Sequence, residues 1–93
     1  MGLFSSDTKT NPYADAGERM HHKMMKAEGR NPDETFVLKM IEHHRGAIEM
    51  GDIHMQQGSD PQLHEMVRKS RQQQEKEIGE LQSWLRSKGL DAQ

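Results

Sequence analysis

The sequence predicts an all-α protein, because proline-led capping signals occur three times, apolar residues return at helical spacing, and no stretch alternates as a strand would. Asn11-Pro12, Asn31-Pro32 and Asp60-Pro61 each set a capping side chain directly before a proline suited to the first helical turn. Gly29, Gly58 and Gly89 mark the corresponding ends. Helices are expected at about 13–28, 32–57 and 61–88, in a single domain over residues 13–93 behind a flexible N-terminus of residues 1–12.

The first segment, Tyr13 to Glu28, is the weakest helix, because Gly17 interrupts it and Met20, His21, Met24 and Met25 stand in for aliphatic residues. Its order is expected to depend on the rest of the assembled protein. The second is stronger: Asn31 caps it, and Glu34 follows three residues later, where it favours the exposed amides. Along it Phe36, Met40, His43, Ala47, Met50 and His54 fall on one side, with Val37, His44, Ile48, Gly51 and Met55 beside them. Glu42, Arg45, Glu49 and Gln56 fall opposite and read as the solvent face. The third carries Leu63, Met66, Val67, Ile78, Leu81, Trp84 and Leu85 on one stripe, interrupted by Ser70, Gln74 and Glu77. The short Gly58 to Asp60 connection folds these two into an antiparallel hairpin. Counting outward from that turn sets His43 and His44 level with Gln74 to Glu77, and His54 and Met55 level with His64 to Met66. Polar residues meeting inside a hairpin predict a buried polar site, since unpartnered they cost stability.

With 93 residues, 31% of them hydrophobic, and a mean hydropathy of −1.07, the core must be thin. Small domains of this kind draw on a disulfide, a metal or a partner chain. There is no cysteine, which leaves a metal or self-association. A net charge of −2 supplies no basic field, and one Trp with one Tyr makes no stacking platform, so nucleic acid is not an expected partner. No segment has the apolar length of a signal peptide or a membrane span. Membrane insertion is therefore not expected, and the chain is either cytoplasmic or a mature form after trimming.

Met40, His43, His44, Met50, His54 and Met55 concentrate sulfur and imidazole donors on one helix. Thioether sulfur is soft and imidazole borderline, a set that suits Cu(I), Ag(I) or Cu(II) better than the oxygen-seeking Mg or Ca. Thioethers also need no deprotonation to bind. Met20, His21, His22, Met24 and Met25 offer a second, outer site, with Met20 and Met24 one turn apart. The alternatives are packing for the methionines and, for the outer group, an amphipathic docking strip. Met66 reads as core filler and His64 as a hydrogen-bonded structural residue.

Phe36, the run Met40-Ile41-Glu42-His43-His44, Ala47-Ile48-x-Met50, Gln74-x-x-Glu77-Ile78 and Trp84-Leu85 together resemble the DUF305 family over about Asp33 to Gly89. The resemblance implies a small, exported or periplasmic bacterial protein built as a ferritin-like four-helix bundle, and CopM-like members bind copper through Met and His. Carried across, the family's double histidine falls on His43 and His44, its methionines on Met40 and Met50, and its polar pair on Gln74 and Glu77. Many members carry two hairpins, whereas this chain has one behind a Met- and His-bearing leader. A homodimer is thus expected to complete the bundle, with metal sites open to sharing between chains.

The expected function is sequestration or transfer of copper, with silver as a possible substitute and no reaction catalysed, since no nucleophile motif surrounds Ser70 or any other serine. One alternative is a ferritin-like di-iron oxidase, for which Glu18-x-x-His21 supplies a single suitable spacing. Another is a metal-free helical scaffold in which Gln74 and Glu77 merely satisfy the histidines.

Overall fold

The structure, a computed structural model, describes residues 11–93. They form helices α1 (Ala14–Lys26), α2 (Pro32–Gln57) and α3 (Pro61–Ser87), with no strand among the described residues. Capping chemistry sets two of the starts. The Asn31 side chain accepts from the Glu34 amide at 2.9 Å, and Asp60 accepts from the amides of Gln62 at 2.8 Å and Leu63 at 3.2 Å. Asn11 behaves differently: its side chain accepts from the Tyr13 amide at 3.1 Å and forms a turn, so α1 begins without a side-chain cap. Of the expected flexible N-terminus, residues 1–10 lie outside the described residues.

Helix α1 stops two residues short of the expected end, because Ala27 is extended and the chain turns at once toward α2. Gly29 donates its amide to the Thr35 hydroxyl at 2.9 Å, and a β-carbon there would lie 2.7 Å from that of Glu34. Only glycine fits so close an approach. At the far end Gly89 takes a φ of 73°, and the amides of Gly89 and Leu90 reach the Arg86 and Leu85 carbonyls at 3.0 and 2.9 Å. This Schellman closure folds Leu90 back onto the core.

Helix α2 is the centre of the molecule. Helices α1 and α3 each pack on it and not on each other, giving a slab with extents of 45 × 34 × 16 Å. On the α3 side Val37, Ile41 and Leu85 form the buried core, flanked by Leu38, Leu81, Trp84 and Leu90. On the α1 side Ala16 is buried, Met20 lies against Gly46, Lys39 donates to the Met24 carbonyl at 2.6 Å, and Arg19 pairs with Glu49.

The periodicity reading of α2 needs correction in three places. The face expected to meet solvent, around Glu42 and Glu49, is the one that α1 occupies, and Gly46 gives it the room to come close. The core-facing row is Val37, Ile41 and His44, with Ile41 wholly buried. Phe36, placed at the head of the apolar stripe, is 61% exposed. Of the rest of that stripe, His43 is exposed, while Met40, Ala47, Met50 and His54 are half-buried along clefts between α2 and α3. Met66, expected in the core, is 56% exposed on α3.

Candidate metal centre

The hairpin register brings His44 to Glu77, and their Nε2 and Oε1 atoms are 2.6 Å apart. A carboxylate only accepts, so the neutral ring donates from Nε2 and keeps its lone pair on Nδ1. That Nδ1 is buried and has no hydrogen-bond partner. Gln73 donates to the other Glu77 oxygen at 2.8 Å. The hydrogen bonds from Gln73 and then from His44, with weaker help from the charge of Lys76, hold the Glu77 carboxyl below its ordinary value against an opposing desolvation effect. A carboxylate fixing one imidazole nitrogen while the other stays unprotonated is the arrangement that orients a metal-binding histidine. Phe36, Met40, Leu81 and Trp84 complete a cleft of about 470 Å³ around this pair. His43 is exposed, its ring edge-on to His44 with centroids 5.9 Å apart.

A second cleft, about 530 Å³, lies nearer the turn and is lined by Met50, His54, Met55, Leu63, Val67 and Gln74. Two more orphaned atoms are here: His54 Nδ1 and Gln74 Oε1 are buried without partners. The His54 ring packs edge-on to His64 with centroids 4.8 Å apart, and His64 Nε2 donates to the Gly58 carbonyl at 2.9 Å. Gly58 is required, since a β-carbon there would sit 2.5 Å from the His54 ring. His64 is thus the hydrogen-bonded residue that the sequence suggests.

His44 and His54 are ten positions apart on α2, about 15 Å along its axis at 1.5 Å per residue. The donors read as one inner cluster therefore divide between two clefts, Met40 and His44 in one and Met50, His54 and Met55 in the other. The outer group divides as well. Met20 is committed to the contact with Gly46, Met24 is half-buried, and Met25 is 68% exposed. His21 and His22 line a shallow surface beside Glu18 and Arg19. Among the described residues no three His, Asp or Glu side chains converge as a metal-holding group. Gln73 escaped the sequence reading, although its i, i+4 spacing to Glu77 was visible.

The family model described as "Domain of unknown function (DUF305)" matches residues 5–85. The chain belongs to the DUF305 family. No curated protein and no solved structure matches it. Of the DUF305-like string, Met40, His44 and Glu77 meet in the first cleft, while Met50 and Gln74 meet in the second. No helix among the described residues of this DUF305 protein is long and apolar enough to cross a membrane.

Proposed function

We propose that this DUF305 protein binds copper as cargo, holding it or passing it on through Met and His donors, and that it catalyses no reaction. Silver would use the same donors. The supporting observation is the buried, unpartnered Nδ1 of His44, held beside Met40 by a carboxylate that already engages the other ring nitrogen. An orphaned buried acceptor costs about 1–3 kcal/mol, which coordination to a cation would recover. A thioether next to an imidazole favours a soft or borderline ion over the hard cations. The homodimer implied by the bundle architecture belongs to this proposal.

The di-iron alternative draws no support from the fold, because Glu18 and His21 are exposed on α1, which makes no contact with α3. A metal-free scaffold is favoured by one observation, the His54 and His64 rings packed edge-on. Thermal melting separates the two readings: at a hundredfold excess of Cu(I) over Kd, copper adds about 2.7 kcal/mol to a binding protein and nothing to a scaffold.

The decisive experiment is an anaerobic Cu(I) titration against a chromophoric competitor. It would use the wild type, His44→Ala and His43→Ala/His44→Ala, with Zn(II) and Fe(II) as controls. The expected result is tight Cu(I) binding that His44→Ala weakens about as much as the double exchange. A wild type that does not compete for Cu(I) removes the copper reading.

A further inference from the structure

We propose that Trp84 is a direct contact of the bound ion: the face of its indole ring meets a soft monovalent cation held by Met40 and His44, and so sets the preference of that cleft for Cu(I) and Ag(I) over divalent ions. The inference rests on the copper reading above and adds a residue outside the Met and His donors.

Two donors do not surround an ion. His44 offers one lone pair, on Nδ1, because Glu77 engages Nε2, and Met40 offers one sulfur. His43 is exposed and does not line the cleft. The remaining walls are Phe36, Val37, Leu81 and Trp84, with the carboxylates of Glu77 and Glu80. The register of the hairpin decides which wall comes nearest. With His44 beside Glu77, Met40, four residues earlier, is level with Leu81, four residues later. Side chains lean toward the N-terminus of their own helix, so His44 leans along α2 toward the level of Met40, and Trp84 leans along α3 toward the level of Leu81. Imidazole, thioether and indole therefore converge at one height. Phe36 leans away from that height and is 61% exposed.

The cleft favours a cation. Its charged lining residues are Glu77 and Glu80, both acids. The face of an indole ring is the negative end of its quadrupole, and among aromatic side chains Trp attracts cations best. This ring already does so, because the Lys88 ammonium lies 5.6 Å from its centroid. The attraction strengthens as the cation loses water. Soft monovalent ions exchange water for such donors, whereas divalent ions favour imidazole and carboxylate. Trp84 also packs beside the core of Val37, Ile41 and Leu85, and is half-buried there. The two roles differ in what they require of the ring, since packing needs its shape and a cation needs its electron density.

Fluorinated tryptophan separates them. Trp84 is the single tryptophan of the chain, so expression in a tryptophan auxotroph places monofluoro- or difluorotryptophan at that position alone. Each fluorine withdraws electron density from the ring face and scarcely changes its size. Anaerobic titration with Cu(I) against a chromophoric competitor, and with Ag(I), should give affinities that fall from the ordinary to the monofluoro to the difluoro protein, with Trp84→Leu weaker than wild type by about tenfold. The melting temperature of the ion-free protein should stay level across the fluorinated series. In the wild type the Trp84 emission should change as Ag(I) is added and level off at the stoichiometry of binding. Cu(I) and Ag(I) affinities that ignore fluorination while His44→Ala abolishes them would leave the copper reading standing and overturn the indole contact. Affinities that fall only in step with the melting temperature would make Trp84 a packing residue and overturn it too. A wild type that binds neither ion overturns the copper reading, and the contact with it.

Discussion

Gly46→Ala and Gly79→Ala are the same exchange in two helix interiors, and the fold requires them to act in opposite directions. Alanine is favoured over glycine inside a helix by about 0.8–1 kcal/mol. At Gly79 on α3 a new β-carbon meets nothing within 4 Å, so the whole gain should appear. At roughly 4–8 °C per kcal/mol for a domain of this size, Tm should rise by about 4–8 °C. At Gly46 the new β-carbon would lie 2.5 Å from Cγ and 2.7 Å from Cβ of Met20. The second contact decides the outcome, because Met20 Cβ is fixed by its backbone and no rotamer moves it. Helix α1 must retreat by about 1 Å to restore an ordinary 3.5–4.0 Å carbon contact. Overpacking of this kind costs about 1–3 kcal/mol, so Gly46→Ala should fall below Gly79→Ala by that margin and melt at or below the wild type. Far-UV circular dichroism melting at one fixed protein concentration measures the difference, and faster amide exchange confined to α1 locates it. If Gly46→Ala raised Tm as much as Gly79→Ala, α1 would not lie on α2 through Met20.

Two further outcomes follow from local chemistry. The Glu77 carboxyl titrates below its ordinary 4.5 in the folded protein, so its ionised form stabilises the fold at neutral pH, and that contribution disappears as pH falls through and below this value. Glu77→Gln should therefore flatten the acid limb of urea midpoint against pH, leaving a residual slope from Glu34, whose carboxyl Arg30 also holds low; an acid limb identical to the wild type would contradict the role given to Glu77. Asp60→Ala removes the acceptor for the Gln62 and Leu63 amides and should cost about 1 kcal/mol, read as a lower urea midpoint at unchanged slope; no shift would show that the cap contributes nothing.

Much of the fold was legible because its signals are local. Asn31 and Asp60 cap the helices they precede, and the three-residue turn sets the register that brings His44 to Glu77. Periodicity identified a stripe on α2 but could not say which neighbour it faces, because α2 has two. Gly46 leaves no trace in a hydropathy pattern, yet Met20 of α1 packs directly against it. Glu49 looked like solvent surface because the Arg19 that pairs with it is thirty residues away. The division of the donors was available in principle, since ten helical residues span about 15 Å. The orphaned atoms were not, because they depend on which ring nitrogen each neighbour engages.

Those orphaned atoms bear on why so polar a sequence keeps a hairpin at all. His44 Nδ1, His54 Nδ1 and Gln74 Oε1 each forgo a hydrogen bond that unfolding would restore, at about 1–3 kcal/mol apiece. Domains have only about 5–15 kcal/mol of net stability, and this one draws on a core of three buried apolar residues in the hairpin. Leu or Ile at positions 44, 54 and 74 would remove that cost, so the polar side chains there work against the stability of the isolated chain. Any species that supplies partners to these atoms in the folded state, and finds no such arrangement in the unfolded chain, shifts the folding equilibrium by its own binding free energy. Occupancy of the site by such a species and folding are then linked equilibria. A donor site that binds cargo tightly is, by the same free energy, a site whose emptying loosens the hairpin that holds it.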